Sequence, residues 1–519
     1  LDANTTGDSN TAIGYFSLSA NTTASNNTAV GSSALAANTT GTGNVGIGRQ
    51  AMDANTTGSE AVGIGENALG ANTTGDYNVA IGENALGANT TANNNVAIGR
   101  RALLANTTGT PHTALGTSAL QANTTGTNNT ALGYQAMYST TTGNRNSAVG
   151  DGALYYNTTG THNTAVGYET MDANTTANNN TAVGHAAMGA NTTGDGAVAV
   201  GAYALDAQTT ASNNTAVGHQ AASGTTTGGN NTALGTNALL VNSTGAGNVA
   251  IGKDAADAYN ANNITAVGFG ALGQATTGGG NVAMGYNALS SNTTGDNNTA
   301  LGYEASESTT TGTNNTAVGS QALDAHTTSH SNSAFGFGAC GDVTTGGNNT
   351  CLGSNAGRST SPSGSITTGS NTVVLGDDSV SALFCADTSI SSSDVRDKTD
   401  IADFNAGLDF INKMQPITYK WDKRSWYSDD LSVVPDGSKK ENITHVGFKA
   451  QDVVALEKEI GFANDRNDML FANLTEDEKR YGMKYERLVT VMVNAIQELS
   501  AEVEELKSKS HDKCDNNEE

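Results

Sequence analysis

Basic charge is scarce in this sequence. Over 519 residues, 24 Lys and Arg stand against 49 Asp and Glu, a formal net charge of −25. Nucleic-acid binding draws most of its affinity from a basic stripe that neutralises phosphates, and no such stripe is present. The same deficit disfavours an anionic membrane surface. Long apolar runs are missing too: no stretch of about 18 apolar residues offers a bilayer-spanning helix, so no membrane insertion is expected. Charged residues are 14% and aromatics 5% of the chain, where an ordinary soluble domain carries about 25% charged residues. So little bulky apolar material cannot fill several ordinary cores. With 4 Pro and 63 Gly, the composition suits a thin structure that buries small side chains between stacked repeats.

Cysteine is also rare. Cys340, Cys351, Cys385 and Cys514 show no CxxC or Cys/His metal spacing. Cys340 and Cys351 stand where other repeats carry Leu and Ala, so both read as small buried hydrophobes. The eight His are scattered without an HExxH-like pairing. No metal site and no cofactor is expected. "GFGALG", residues 268–273, matches GxGxxG, but it lies inside a repeat with no βαβ unit around it, so it is not a dinucleotide site. The chain opens within a repeat, "LDANTTG", without an initiator Met or a signal peptide, and reads as a fragment.

What the sequence does hold is a repeat. The glycine closing each "A-V/I/L-G" recurs every 17 residues from Gly14 to Gly252, slips once to a 16-residue step at Gly268, and resumes at 17 until Gly353. These are 21 coils; "NTVVLG", ending at Gly376, is a diverged last one. The consensus is T-A-V-G-x-x-A-L-x-A-N-T-T-G-x-N-N. Seventeen residues are too few for a helix pair and two loops. They suffice for one coil of a parallel β-solenoid, here expected with two short strands, "TAVG" and "AL-A", separated by Asn, Thr and Gly turns. At about 4.8 Å per coil the stack would be on the order of 100 Å long.

Two details extend this picture. The Asn before Thr-Thr (Asn55, Asn72, Asn89, Asn106, Asn123) recurs once per coil and is expected to form an amide ladder. These Asn also sit in N-x-T sequons, which turn chemistry explains without sugar. In "TAVG" adjacent Ala and Val point to opposite faces of a strand. Both are apolar in most coils, so one face packs inside the coil and the other requires another chain. A parallel homotrimer is the simplest closed solution. The "NTAVGxxAL" coils over about residues 1–376 resemble the β-roll heads of YadA-like trimeric adhesins and similar repeats of phage tail fibres.

After "SSSDVRDKTDI", residues 391–401, the language changes to charges, aromatics and helical spacing. "IADFNAGLDFINKM" reads as a helix through Phe404, Leu408, Ile411 and Met414, "ITYKWD" as a strand, and "THVGFKAQDVVALEKEI" as strand then helix. "TEDE", Thr475 to Glu478, offers a capping box for a further helix. "YERLVTVMVNAIQELSAEVEELKSK" reads as a coiled-coil helix through Leu488, Met492, Ala495, Leu499, Val503 and Leu506. The expected organisation is β-roll repeats over 1–353, a transition over 354–392, an α+β domain over 393–484, and a coiled-coil helix with an acidic tail over 485–519.

"SDVRDKTDI", "HVGFKAQDV" and "YERLVTVMVNAIQEL", in that order over about residues 393–508, resemble the peptidase S74 intramolecular chaperone that ends phage tail fibres and endosialidases. The resemblance implies that this domain trimerises the fibre and then cuts itself off just before the Ser of S-D-x-R-x-K. The pair implied is Ser393 as nucleophile and Lys398 as base, the cut falling between Ser392 and Ser393. Asp394 and Arg396 are motif-supporting. A Ser hydroxyl needs a base, and a desolvated Lys can serve. In an extended strand the two would lie about 17 Å apart, so a turn must join them. The function implied is a virion tail-fibre or tail-spike shaft, extracellular, self-cleaving but with no turnover enzyme in the repeats. Its partners would be two further copies and a host-surface receptor, a glycan. The alternatives are a bacterial trimeric adhesin head, against which the tail "KSKSHDKCDNNEE" stands in place of a β-barrel segment, and the stalk of a secreted enzyme whose catalytic domain lies upstream of Leu1. An ice-binding solenoid with outward Thr arrays is a further alternative.

Overall fold

The computed structural model describes residues 1–380, 398–428, 431–475 and 478–515. It divides into two units, Leu1–Thr316 and Ala317–Glu519. Among the described residues, twenty-two short strands recur from β1 (Thr11–Ile13) to β22 (Val373–Leu375). The fold is mostly β, a parallel solenoid followed by a small C-terminal domain with a terminal helix.

In the first unit each coil contributes one strand, paired parallel and in register with the next coil. Thr11 faces Thr28, Ala12 faces Ala29 and Ile13 faces Val30; the pattern holds to Val282 facing Thr299. The "AL" segment is not the second strand expected. Its Leu takes a left-handed backbone, with φ of 52° at Leu35 and Leu69. The inter-coil ladder continues through it all the same. Leu35 N–H donates to Ala51 O at 3.0 Å and Leu69 N–H to Ala85 O at 3.0 Å. A non-glycine residue in this conformation costs about 1–2 kcal/mol. Fully burying a Leu contributes about 1.5–3 kcal/mol, enough to offset it. These Leu are fully buried and lie over the strand of the following coil: a Cβ added at Gly46 would meet Leu35 Cγ at 3.1 Å.

Inside the coil run two rows of asparagine. The row before Thr-Thr forms the expected ladder: Asn38 Nδ2 donates to Asn21 Oδ1 at 3.1 Å, Asn55 to Asn38 at 3.0 Å and Asn72 to Asn55 at 2.8 Å. All are fully buried, which leaves no room for sugar on those sequons. The second row precedes each strand. Its Oδ1 accepts the next coil's backbone N–H (Asn44 N–H to Asn27 Oδ1, 2.9 Å), and its Nδ2 donates to a carbonyl one coil on (Asn44 to Gly58 O, 2.7 Å). Thr hydroxyls add an outer row, such as Thr56 Oγ1 to Thr73 O at 3.0 Å. The closing glycine is required on two counts. Gly133 has φ of 143°, and a Cβ there would lie 2.2 Å from Gly150 O.

The exceptions obey the same rules. In the 16-residue coil, Tyr259 and Ile264 replace both Asn rows at once, and the buried Tyr259 hydroxyl donates to Asn262 O at 3.0 Å. His112 replaces an Asn of the second row and copies its bonds. Nδ1 accepts from Asn129 N–H at 3.2 Å and Nε2 meets Gly126 O at 2.7 Å. Burial holds its pKa down, to about 4.

In the second unit, β20 (Ser333–Phe335), β21 (Thr350–Leu352) and β22 pair parallel. Cys340 and Cys351 are buried but not free hydrophobes: they form a disulfide. Their 11-residue spacing is that of Leu35 and Gly46 and of Met52 and Gly63, so the bond stands where those coils make a packing contact.

Beyond Lys398 the chain folds as α1 (Leu408–Lys413), β23 (Ile417–Tyr419) antiparallel to β24 (His445–Gly447), α2 (Ala450–Glu459), β25 (Ala472–Leu474) antiparallel to β26 (Tyr481–Met483), and α3 (Leu488–Asp515). Ala406, Phe410, Met414, Val453, Phe471, Leu488 and Val491 form the core. "TEDE" does not cap a helix. Thr475 N–H donates to Arg480 O at 2.9 Å and Arg480 N–H to Thr475 Oγ1 at 3.1 Å, closing the β25–β26 hairpin. The expected heptad also divides. Leu488 and Ala495 face the domain's own core, whereas Met492, Ile496, Leu499, Val503 and Leu506 form an exposed stripe at alternating steps of four and three.

Two outcomes are expected here. Gly133→Ala should cost about 3 kcal/mol or more, by strain and clash together, and limited proteolysis should show a new cleavage-sensitive coil there. His112 has a lowered folded pKa, so its contribution is complete above about 6.5 and is lost as pH falls towards 4, about 3 kcal/mol in all. His112→Asn should remove that part of the loss, read as a smaller drop in melting temperature between pH 7 and 4.5.

Candidate self-cleavage site and its supporting domain

Ser393, Asp394, Arg396 and the bond between Ser392 and Ser393 lie outside the described residues. Of the four predicted site residues the structure places Lys398, which is exposed. What it describes in detail is the platform that follows.

The chain after Lys398 is tied to α3. Asn494 Nδ2 donates to Phe404 O at 2.5 Å and to Ala406 O at 3.2 Å, and the Glu498 carboxylate accepts Leu408 N–H at 2.6 Å. Gly407 is needed for this approach, because a Cβ there would lie 2.2 Å from Glu498 Oε1. Phe404 and Phe410 both pack against Phe471, at 6.0 and 5.3 Å between ring centres. The seam therefore leads into a segment gripped by the C-terminal helix.

The middle motif meets the tail motif directly. Phe448 N–H points at Tyr485 Oη at 3.4 Å, and a Cβ at Gly447 would lie 2.5 Å from that oxygen. His445 pairs with Glu441 at 2.6 Å and stacks on Tyr419. The described continuation of the seam, the β24–α2 corner and the start of α3 are thus one folded body sharing one core.

Its main polar support was not foreseen. Glu457, fully buried, accepts three consecutive backbone N–H groups: Leu470 at 2.7 Å, Phe471 at 2.8 Å and Ala472 at 2.7 Å. A buried carboxylate is tolerable only with such partners. The signal was present, since Ala450, Val453, Val454 and Glu457 form the inward i, i+3, i+4, i+7 face of α2. Lys484 lies nearby and donates to Met469 O at 3.0 Å. Burial pulls its pKa down and Arg487 adds to this, while Glu457 opposes it.

Among the described residues no cluster of His, Cys, Asp and Glu is placed to hold a metal, and no helix is long and apolar enough to cross a membrane. A parallel solenoid of 17-residue coils, followed by a small α+β domain with a long terminal helix, fits a tail-fibre-like protein with a C-terminal chaperone. Comparison bears out the C-terminal chaperone: residues 393–462 match the chaperone-of-endosialidase family, peptidase S74, and the match opens on Ser393. Neither a curated protein nor a solved structure matches the chain.

Glu457→Gln keeps the shape but turns one acceptor into a donor facing an N–H. It should destabilise the C-terminal domain by about 2–3 kcal/mol, seen as a lower denaturation midpoint of the helical signal with the solenoid transition unmoved.

Proposed function

We propose that this chain is the shaft of a virion tail fibre for host-surface attachment. It assembles as a parallel homotrimer under the direction of its C-terminal domain, which then cuts between Ser392 and Ser393. The observation that carries the proposal is an apolar row without cover. In all twenty-two strands the residue before the coil glycine is Val, Ile, Leu, Met or Phe. It stays partly exposed in the single chain, at 37% for Ile47, 45% for Leu115 and Leu234, and 43% for Leu375. Other outward positions carry ion pairs, such as Arg100 with Glu83, so the constancy of this row is not a property of the surface at large. The exposed stripe of α3 is a second such row. Parallel copies in register would cover both at once, and the chaperone-of-endosialidase match supports three copies.

In the cut, Ser393 Oγ attacks the carbonyl carbon of Ser392. Lys398 takes the hydroxyl proton and passes it to the departing amine of Ser393. Water then hydrolyses the ester, freeing the carboxylate of Ser392. Lys398 is exposed in the single chain, so the desolvation that base work requires is assigned to the assembled trimer. The receptor class is a surface glycan. Phe269, Tyr286 and Tyr303, stacked on consecutive coils and 43–50% exposed, offer it an aromatic column. The disulfide is consistent with an extracellular location.

Intact mass of freshly expressed protein is the test, wild type beside Ser393→Ala and Lys398→Ala. The wild type should yield residues 1–392 and 393–519, and both variants should stay whole. An uncut wild type overturns the assignment of Ser393 and Lys398. Sedimentation of the uncut Ser393→Ala protein should give three copies; a single copy would overturn the covered-row argument.

A further inference from the structure

Among the described residues, the polar contacts between the last coil and the domain after the seam gather around Asp378 and the turn at Ser359 and Ser361. Arg480 donates through Nη1 to Asp378 Oδ1 at 2.9 Å. The same guanidinium reaches the carbonyl oxygens of Ser361 and Ser359. Lys423 Nζ donates to Asp378 O at 3.1 Å, and the Ser425 hydroxyl donates to the Asp378 carboxylate. The Arg480 and Asp378 side chains are only 15% and 11% exposed. All the acceptors precede residue 381, and all the donors follow residue 398.

The acceptors come together only in a closed coil. Ser359 and Ser361 lie on one turn, and Asp378 lies past β22. Asp378 N–H donates to Thr360 O at 2.8 Å, which seats the carboxylate beside the two carbonyls. That turn is braced from behind. Arg358 makes two bonds to Asp324, at 2.9 and 3.0 Å, two coils earlier, and the Cys340–Cys351 disulfide ties the coils between. An unclosed or misregistered last coil would offer Arg480 no such set of oxygens.

The contact is made through charged and polar bonds. The cavity beside it, about 650 Å³, is left open between Pro362 and Asp378 on one side and Tyr419, Trp421, Arg424 and Tyr481 on the other. A charge-assisted, poorly filled contact holds two folded bodies together yet lets them part.

We infer that Arg480, with Lys423 and Ser425, is the docking site by which the C-terminal domain recognises the closed last coil, and that this clamp keeps the domain on the fibre end after the chain between them is cut. The retention step rests on the self-cleavage proposed above; recognition of the closed coil does not. Arg480 is a positioning residue, not a catalytic one. Because the clamp centres on an ion pair, salt should loosen it.

The test uses the full chain in the Ser393→Ala background, with residues 384–390 replaced by the recognition sequence of a site-specific protease. After nicking, the two pieces should co-migrate in size-exclusion chromatography at low salt and separate at high salt. Arg480→Ala and Asp378→Asn should each speed dissociation at least tenfold at low salt, while Arg480→Lys should fall between. Circular dichroism of the recovered pieces checks that both remain folded, and Asp378→Asn leaves the C-terminal piece unaltered should Arg480→Ala fail to fold. Nicked pieces that separate at once without any substitution, or that stay together equally well in Asp378→Asn, overturn the inference. Wild-type intact mass reports on self-cleavage independently, so the two proposals can fail separately.

Discussion

Everything in the solenoid depends on the hydrogen bond from one coil to the next, made by side chains as much as by backbone. A coil of this size has no core of its own; its interior is Ala, Leu and two Asn. A buried amide without partners would cost several kcal/mol. Stacked in register, an Asn finds partners in its own coil and its neighbours, as Asn44 does with Asn27 and Gly58; the amide oxygens of Asn95, Asn123 and Asn242 are exceptions that accept no bond. The amide that would forbid an isolated coil therefore enforces the stack. The replacements follow from the same rule. His112 reproduces an Asn with its two ring nitrogens, whereas Tyr259 and Ile264 remove both amides from one coil together.

Much of this is legible in the sequence, because a ladder turns chain position into spatial neighbourhood. That Ala and Val take opposite faces followed from strand alternation, and the Asn row followed from its period; that Ala is the inward one is seen only in the fold. The second strand did not form because "AL" looks like a strand to a pattern that counts apolar residues, while Leu35 buys its burial with a left-handed backbone that no propensity scale anticipates. The disulfide was hidden for a related reason. Cys340 and Cys351 are 11 apart, a meaningless spacing until one knows that each Leu sits over the strand of the next coil. In the C-terminal domain, Glu457 was passed over because a charged residue on a helix is normally solvated. Helical periodicity found the last helix but not which of its two apolar faces was already occupied. At the site, the motif alone singled out Ser393 and Lys398. Their mutual geometry depends on residues outside those described.

The same regularity creates a problem for assembly. Along one chain the order of coils is fixed covalently, but two identical chains placed side by side can shift by a whole coil and lose little. The outward row of Val, Ile and Leu repeats with nearly no landmark. Register between copies is weakly specified wherever the pattern is this uniform. A separate, non-repetitive body is the physical remedy, and the C-terminal domain has the right properties for it: its own core, its own exposed heptad stripe on α3, and a polar grip that only a finished coil satisfies.

Under that arrangement the solenoid need not be the global choice of a free chain. Coils that propagate from an aligned end zip through local, sequential contacts and avoid the slow search for distant pairings. In the proposed trimer, closed along its apolar rows, opening would begin at an end, since an interior coil is bonded above and below. Arg358, Asp324 and the Cys340–Cys351 bond reinforce the end that meets the domain, where fraying would otherwise start. Under the proposed cut, whether the clamped domain stays or parts, the fibre's persistence would be set by the rate of opening rather than by an equilibrium with free chains.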